Sequence, residues 1–334
     1  NYITRYWTYT TANLTAGTSW SNATFVYAAG DIVGTEALLK ANAFNSGTSA
    51  WTEFATSSAA SNTLTFTSGA TTTTVLTGNT ITARVDPPLY YRSNSSGNWG
   101  TTATWLVSTD VAFVAPTGVA ATSAPTASNS IGITIMTGHS VTSSASVSAD
   151  QLTIQSGGSL EMTNNALTVS DGTGTDITVN SGGTLLLSTT STITISAGAT
   201  MQIDGLYKVS STAAPVVTNA GTTTVTSTGT YEHARDAGII PTCTWNTGST
   251  CLITGTGNNA PTGLAQSFHH FTVNTTLTNS VNCSGALQTI NGKFNLTTNH
   301  ASFGWRLTGT TTYTLTVADS LIISNGILDA ASGG

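Results

Sequence analysis

The chain has 334 residues, of which only 7% are charged, and its formal net charge is −6 with 8 Lys and Arg residues. Nucleic-acid binding is excluded because it needs clustered cations, and the sequence contains no such cluster. Hydrophobic residues make up 39% of the chain, which suits a folded protein rather than a disordered one. No apolar run reaches the roughly 18 residues of a membrane span. Abundant Thr, Val, Gly and Asn predict an all-β fold.

Residues 1–86 are predicted to form an Ig-like antiparallel β-sandwich. Short alternating runs, such as residues 5–9 and 63–67, are separated by Gly and Asn turns. Aromatic residues are frequent here and scarce in the middle of the chain. Pro87 and Pro88 then interrupt backbone hydrogen bonding, so a domain boundary is expected at this point.

Residues 87–125 are predicted to be a linker and a cap for the segment that follows. The bulky residues Tyr90, Tyr91, Trp99 and Trp105 suit a cover over the open end of a stack of strands. Such a cover is needed because an exposed terminal repeat invites edge pairing.

Residues 126–334 are predicted to form a right-handed parallel β-helix, a β-solenoid. A nine-residue phrase recurs as ITIMTGHSV, LTIQSGGSL, ITVNSGGTL and ITISAGATM, with starts 19, 25 and 16 residues apart. Each copy reads as a strand, a Gly-containing corner and the start of another strand. One such unit cannot bury its apolar face alone, whereas stacked units bury a continuous core. The residues predicted to point inward are Ile133, Ile135, Leu152, Ile154, Ile177, Val179, Ile193 and Ile195.

The rhythm is predicted to be interrupted around residues 231–270. This stretch begins with the densest charged cluster of the chain, YEHARD at residues 231–236. The cluster is interpreted either as a polar site on a loop or as a salt-bridged corner of an irregular turn, and the second interpretation is preferred because exposed ion pairs are common and weak.

Asp171 and Asp176 are the best candidates for a metal site. They bracket the Gly-rich turn DGTGTD, and two carboxylates around such a turn can bind calcium through oxygen ligands. The turn lacks the further acidic ligands of a dedicated loop. Asp side chains that cap local backbone groups would explain it equally well. No other cofactor is predicted.

Cys243 and Cys251 are candidates for a disulfide, because they flank a short loop with a turn at residues 246–248. The alternative is that both are small buried hydrophobic residues. Cys283 is then unpaired and is expected to be buried. Zinc is not predicted, since the chain has no CxxC motif and its histidines lack ligand spacing to these thiols.

Several motifs resemble a module of very large surface proteins of Bacteroidota. They are ITRYWT at 3–8, DIVGTE at 31–36, AWT at 50–52, YYRSNSSGNW at 90–99 and PTCTWNTGS at 241–249. The resemblance implies an extracellular, repetitive, adhesin-like or filament-forming protein of the type IX-secreted kind, with an Ig-like module before a parallel β-helix. It brings no catalytic residues. Ser320 lies in a DSL tripeptide that resembles the short O-glycosylation signal of such proteins.

A non-enzymatic structural or adhesive segment is therefore the predicted function. A polysaccharide-active enzyme would need paired carboxylates, and the acidic residues of this chain are dispersed. Glycan binding would need exposed aromatic rings. Ice binding would need a flat Thr face, which the variable repeat length argues against. The residues weighed for sugar stacking are Trp20, Trp51, Trp99, Trp105 and Trp305.

The expected partners are other copies of the chain, in a filament or surface array, or neighbouring segments of a longer chain; surface glycans are a further candidate. The sequence starts at Asn1 without an initiator Met, and it stops at SGG (332–334) while the strand rhythm continues. We therefore expect a piece of a longer extracellular protein whose solenoid end would expose an unpaired turn.

Overall fold

The computed structural model describes residues 2–8, 23–33, 36, 39–45, 50–54, 57–66, 80–84, 89–108, 111–113, 118–214, 216–298, 300–308 and 313–330. It is 48% strand and 3% helix, and it contains a parallel β-solenoid of about 8 turns. The predicted fold class is confirmed. The chain divides into two compact units, Asn1–Pro87 and Pro88–Gly334.

The N-terminal unit contains two antiparallel sheets, consistent with the predicted Ig-like part. The first sheet consists of β1 (Tyr2–Ile3), β2 (Trp7–Thr8), β4 (Ile32–Val33), β5 (Lys40–Asn45), β6 (Ala50–Glu53) and β9 (Thr80–Arg84). The second consists of β3 (Ala23–Val26), β7 (Ser57–Ala60) and β8 (Thr63–Phe66). A 3-10 turn, Ala29–Asp31, precedes β4. Leu64 and Phe66 of the second sheet and Ile81 of the first belong to one buried core.

The solenoid winds three strands per turn, and its first face is a parallel ladder extended by an antiparallel pair at the top. The upper strands are β10 (Leu89–Ser93), β12 (Trp105–Ser108), β13 (Val119–Ala120), β14 (Ser130–Ile135), β17 (Leu152–Ile154), β20 (Ile177–Val179), β23 (Thr200–Ile203), β26 (Thr222–Val225) and β28 (Thr244–Trp245). The lower strands are β30 (Ser267–Phe268), β33 (Thr289–Ile290) and β36 (Thr316–Val317). A 3-10 turn, Thr102–Thr104, precedes β12.

The second face is a continuous ladder of ten strands, and the third face has an upper and a lower ladder. The second face contains β11 (Gly97–Asn98), β15 (Ser140–Ser143), β18 (Ser159–Thr163), β21 (Thr184–Ser188), β24 (Leu206–Val209), β27 (Thr230–His233), β29 (Thr250–Ile253), β31 (His270–Val273), β34 (Phe294–Thr297) and β37 (Leu321–Asn325). The third face contains β16 (Val147–Ala149), β19 (Ala166–Val169), β22 (Thr192–Ile195), β25 (Val217–Asn219), β32 (Val281–Asn282), β35 (Gly304–Arg306) and β38 (Ile327–Asp329).

Register keeps like residues above one another from turn to turn. Ile133 aligns with Leu152, which aligns with Ile177 and then with Met201. Because side chains alternate between the two sides of a strand, this register sends one apolar column inward and one polar column outward. The eight residues predicted to point inward are each 0–1% exposed, which confirms that prediction.

Each copy of the repeated phrase forms a strand, a corner and the next strand, but the four copies do not all start on the same face of the solenoid. Its first three copies start on the first face, whereas Ile193 of the fourth copy lies in β22 on the third face. The glycines of the first three corners, Gly138, Gly157 and Gly182, have φ of 78°, 74° and 82°. This left-handed conformation favours glycine, and the three corners stack through N–H···O bonds of 3.1 and 2.8 Å.

Two features differ from the predicted domain organisation. The parallel ladder already includes β10, which pairs with β14, so the solenoid begins at Leu89 rather than near residue 126. The second face also continues through residues 231–270, in strands β27, β29 and β31. Over this stretch the third face is reduced to a single bridge between Ile239 and Thr262. The ladder of the first face also ends at β28 and resumes at β30, so only the second face carries the register through this stretch.

The top of the solenoid core is covered by two tryptophans. Trp99 and Trp105 are 1% and 0% exposed, and their rings meet edge to face with centroids 5.0 Å apart. The indole N–H of Trp99 donates to the Pro125 carbonyl at 3.0 Å, and that of Trp105 donates to the Trp99 carbonyl at 2.7 Å. Both polar atoms are therefore satisfied inside an apolar cover.

The core changes character along the axis. The upper turns are filled with Ile, Leu, Val and Met, whereas a chain of ring contacts runs through the lower turns. Successive ring centroids in that chain are between 5.0 and 6.4 Å apart. The rings belong to Tyr207, Tyr231, Trp245, Phe268, Phe271, Phe294 and Trp305.

The inward and outward columns predict unequal losses of stability for substitutions at two adjacent residues. Ile177→Ala should reduce the free energy of unfolding by about 2–5 kcal/mol, because it leaves a cavity between Leu152 and Met201. Thr178→Ala, on the outward side of the same strand, should cost less than about 1 kcal/mol. Urea unfolding followed by circular dichroism measures both. Equal losses would contradict the assigned orientation of the strand.

Candidate functional site

The predicted metal residue Asp176 lies at the corner between the third face and the first, just before β20, and it is completely buried. Its Oδ1 accepts the Gly172 N–H at 2.8 Å. Its Oδ2 accepts the Thr200 N–H at 2.6 Å and the Thr200 hydroxyl at 3.2 Å. Thr200 belongs to the next turn of the solenoid. The carboxylate therefore fastens its own loop and the following turn at the same time.

Asp150 occupies the same corner one turn earlier, and its carboxyl group lies close enough to that of Asp176 for the two to interact. Its Oδ1 is buried, and no N–H or hydroxyl donor reaches it. Burial raises the pKa of Asp150, as do the neighbouring Asp176 and, more weakly, the charge of Asp171; the Gln151 backbone opposes the shift. Two carboxyl groups in such contact are stabilised when one of them keeps its proton.

Glycine is required at two positions of this corner, because the carboxylate of an aspartate from the preceding turn lies against each of them. A Cβ on Gly172 would collide with the carboxylate of Asp150, and one on Gly198 would collide with that of Asp171. We call Asp150, Asp171 and Asp176, with these two glycines, the acidic corner. Sequence reasoning identified Asp171 and Asp176 but did not connect them with Asp150, which is 21 residues away from Asp171 in the chain.

The two predicted calcium ligands have different surroundings in this structure. The carboxylate of Asp171 lies against Gly198, while both oxygens of Asp176 accept hydrogen bonds from the protein. In the part of the chain that the structure describes, no group of three or more His, Cys, Asp or Glu residues could hold a metal ion. The donors around Asp176 favour the alternative of backbone capping, and calcium binding stays a prediction.

The two cysteines predicted to pair face the solenoid interior from adjacent faces of one turn. Cys243, Cys251 and Cys283 are all free thiols, so the predicted disulfide is not formed in this structure. Burial raises the pKa of Cys243 and of Cys283 to about 12. The pKa of Cys251 is also well above its usual value, through burial and then through the neighbouring Cys243. Buried thiols of this kind are weak nucleophiles.

The charged cluster at residues 231–236 is divided between the inside and the outside of the wall. Glu232 points outward and pairs with Lys208 at 2.8 Å, and it accepts the Thr254 hydroxyl at 2.7 Å. Arg235 donates to two carbonyls of the preceding turn, those of Ser211 and Ala213. Asp236 accepts three consecutive backbone N–H groups of residues 257–259. The cluster connects turns through hydrogen bonds and one ion pair, whereas the sequence predicted a salt-bridged corner.

His233 is buried in the core as a neutral ring. Its Nε2–H donates to the Ala237 carbonyl at 2.6 Å, and its Nδ1 accepts the Tyr231 hydroxyl at 3.1 Å. Desolvation lowers its pKa to about 4; the nearby Arg235 also lowers it, whereas Ala237 and Asp236 act in the opposite direction. Sequence reasoning missed this histidine as a core residue because its neighbours in the chain are charged.

The aromatic residues weighed for sugar stacking are mostly internal. Trp99, Trp105 and Trp305 are at most 1% exposed, so none of these three rings can stack on a sugar. Trp20 lies outside the described residues, and Trp51 is described only through its place in β6. Ser320, the predicted glycosylation site, lies at the partly exposed turn before β37, where glycosylation stays a prediction.

The outward carboxylates of the second face are too far apart for sugar hydrolysis. Glu161 and Glu232 lie in one column, separated by Leu186 and Lys208. Three ladder steps amount to roughly 14 Å, beyond the roughly 5–10 Å that glycosidases use. Asp150 and Asp176 are close enough, but they lie in a corner where Asp176 is inaccessible to solvent.

Comparisons with protein-family models, with curated proteins and with solved structures find no match to this chain. No helix among the described residues is long and apolar enough to cross a membrane. The class of protein defined by the fold is therefore the parallel β-solenoid, preceded by an antiparallel β unit.

The contact between Asp150 and Asp176 leads to a prediction about charge. A raised folded pKa means that Asp150 stabilises the fold below its unfolded pKa near 3.8, and that this contribution is lost as the pH rises through the folded value. Asp150→Asn supplies a permanent N–H donor. It should raise the melting temperature at pH 7 by about 2–4 °C, the shift that roughly 1 kcal/mol produces in a domain of this size.

Scanning calorimetry at pH 7 and pH 3.5 measures this effect, and the gain should disappear at the lower pH. Asp319→Asn, at an exposed corner, is the matched control. A destabilised Asp150→Asn variant would contradict the interpretation that one of the two carboxyl groups, Asp150 or Asp176, keeps its proton. So would a rise in the wild-type melting temperature with millimolar calcium that the variant lacks, a result that would favour the calcium prediction instead.

Burial of neutral His233 predicts acid sensitivity. Its folded pKa of about 4 lies below the unfolded value of 6.5, so its contribution is complete above pH 6.5 and is lost as the pH falls towards 4. The loss amounts to roughly 3 kcal/mol. Urea unfolding between pH 7 and pH 4 should show a smaller pH dependence for His233→Gln than for wild type. His300→Gln, at a partly exposed position, should keep the wild-type dependence; a smaller pH dependence in His300→Gln as well would contradict the assignment.

Proposed function

We propose that the chain is a non-enzymatic, extracellular structural or adhesive segment of a cell-surface or filament-forming protein. The observation that carries the proposal is that most acidic residues described in the solenoid bond to a neighbouring turn. Six of them bond to a side chain or backbone group of a neighbouring turn, 21 to 27 residues away in the sequence. These residues are Glu161, Asp176, Asp204, Glu232, Asp236 and Asp329.

Such bonds hold the turns together, and they engage carboxylate oxygens that a catalytic acid or base would need for its substrate. General acid–base catalysis needs a titratable group within reach of a bound substrate. Here Asp176 is buried, and the oxygens of Glu161 and Glu232 accept hydrogen bonds from adjacent side chains. Outward columns of Thr and Ser provide solubility in place of charge. A solenoid with few charges, whose turns are fastened to one another, suits a spacer or adhesive stalk, and the resemblance to surface proteins of Bacteroidota supports that role.

Glycan binding is a second candidate, favoured by one feature of the N-terminal unit. A pocket of about 320 Å³ is lined by Arg5, Tyr6, Phe44, Thr80 and Thr82, among others. The side chain of Tyr6 is 68% exposed there. An exposed aromatic ring beside hydroxyl groups and a cation can stack on a pyranose and orient its hydroxyls.

A reducing-sugar assay on polysaccharide mixtures, run beside a glycan array, tests both proposals on the full chain. We expect no release of reducing ends above the heat-denatured control. Release that Asp150→Asn or Asp176→Asn abolishes would overturn the non-enzymatic proposal. Retention on the array that falls at least tenfold in Tyr6→Ala, but not in Tyr313→Ala on the solenoid, would establish the second candidate; retention unchanged in Tyr6→Ala would refute this pocket.

A further inference from the structure

All five histidines of the chain use the ring atom Nδ1 in a hydrogen bond, and two of them lie side by side at one corner of the solenoid. His269 and His270 occupy the corner between β30 on the first face and β31 on the second. Their rings meet edge to face with centroids 4.3 Å apart. Gly292 of the following turn lies against both rings, where a Cβ would collide with them. We call His269 and His270 the histidine corner.

The histidine corner is bonded to the turn before it and to the turn after it. The Gly248 N–H donates to Nδ1 of His269 at 3.0 Å, and the Lys293 N–H donates to Nδ1 of His270 at 3.0 Å. Gly248 lies at the corner between β28 and β29, and Lys293 lies at the corner between β33 and β34. A ring nitrogen that accepts a hydrogen bond carries no proton, so both rings are neutral with the proton on Nε2. Three successive turns are therefore connected through two neutral rings.

The kind of donor distinguishes these two bonds from those of the other histidines. His139 and His233 bond to hydroxyl groups, and a hydroxyl can rotate to accept a bond when the ring gains a proton. His300 accepts the N–H groups of residues 302 and 303, which belong to its own loop. A backbone N–H can only donate. A proton on Nδ1 in the histidine corner would therefore face a second donor and break the bond to the neighbouring turn.

The charged groups around the corner also oppose protonation. Burial lowers the pKa of His270, as do the adjacent His269 and Lys293, whereas Asp319, two turns further along, acts in the opposite direction. Residues 244–250, 266–268 and 289–292, which belong to the surrounding elements, carry no ionisable group. A lowered folded pKa means that neutral His270 contributes fully above the ordinary value of 6.5, and that this contribution is lost as the pH falls through the folded value.

We propose that the histidine corner is an acid-sensitive contact, in which protonation of His269 and His270 releases the corner from the turns on either side while the solenoid stays folded. Two charged rings would then lie beside each other and beside Lys293, and their repulsion keeps the corner released at low pH. The ladder of β29, β31 and β34 persists, since its backbone pairing does not involve the rings. The inference is independent of the proposed function, because it concerns how the solenoid responds to acid.

Hydrogen–deuterium exchange of the full 334-residue chain, followed by NMR at pH 7.5 and pH 5, tests the proposal. Each rate is divided by the intrinsic exchange rate at the same pH. A released ring with the ordinary pKa of 6.5 favours the released corner by roughly tenfold for each pH unit below that value. We expect the protection of the Gly248 and Lys293 N–H groups to fall at least tenfold. The reference is the Gly157 N–H, bonded to the Gly182 carbonyl at 2.8 Å, whose protection should stay the same.

The double variant His269→Asn/His270→Asn provides an amide oxygen as acceptor in place of each Nδ1 and does not titrate. Its protection at Gly248 and Lys293 should be equal at the two pH values. His139→Asn is the matched control, since its partner is a hydroxyl, and it should keep the fall seen in wild type. Equal protection at both pH values in wild type would overturn the proposal. So would an undiminished fall in the double variant, or an equal fall at Gly157, which would indicate that the whole solenoid unfolds.

Nitrogen chemical shifts of the imidazole rings give a second test that needs no variant. At pH 7.5 both rings of the histidine corner should show a protonated Nε2 and an unprotonated Nδ1, because each Nδ1 accepts a backbone N–H. A proton on Nδ1 of either ring at this pH would overturn the proposal, even if the double variant failed to fold.

Discussion

The solenoid depends on one constraint: each strand must keep register with the strand one turn above it. A single turn has no interior of its own, and its apolar side chains become buried only when the next turn lies in register. A shift of one residue would turn Ile154 and its column outward and bring Thr153 and its column inward. Corners, loops and charges in this molecule can be understood as means of holding that register.

The few ionisable groups illustrate this point. An average soluble protein carries about 25% charged residues, whereas this one carries 7%. Where acidic residues do occur in the solenoid, most of them bridge turns: Asp176 reaches Thr200, Glu161 reaches Ser188, and Asp236 gathers three backbone N–H groups. A carboxylate that accepts several N–H bonds is stabilised in its charged form. In a chain with so little charge, each of these groups contributes to the vertical cohesion of the wall.

The sequence was sufficient to predict the fold class and the inward columns, because alternation and Gly corners are local signals. The features that the sequence could not predict also have physical causes. The fourth copy of the phrase, at Ile193, belongs to another face, since any strand–corner–strand unit has the same local pattern. The contact of Asp150 with Asp176 depends on how much loop separates two turns, which no local pattern encodes. His233 looked like part of a polar cluster because its neighbours in the sequence are charged. Alternation along β27 nevertheless sends His233 inward while Glu232 points outward.

Variable loop length leaves the register of the first face intact from β14 to β28, which bears on one prediction made from the sequence. The variable repeat spacing predicts that no flat Thr surface forms, yet the outward column of the first face runs through Thr134, Thr153 and Thr178 in strict register. It continues through Gln202 to Thr224 and Thr244. Extra residues leave the wall at the corners, as the loop of Asp171 does. Variable spacing therefore does not break the register of this column, and the amide of Gln202 interrupts its run of Thr residues. Register is fixed by the core, so the length of each turn can vary while the face it presents stays the same.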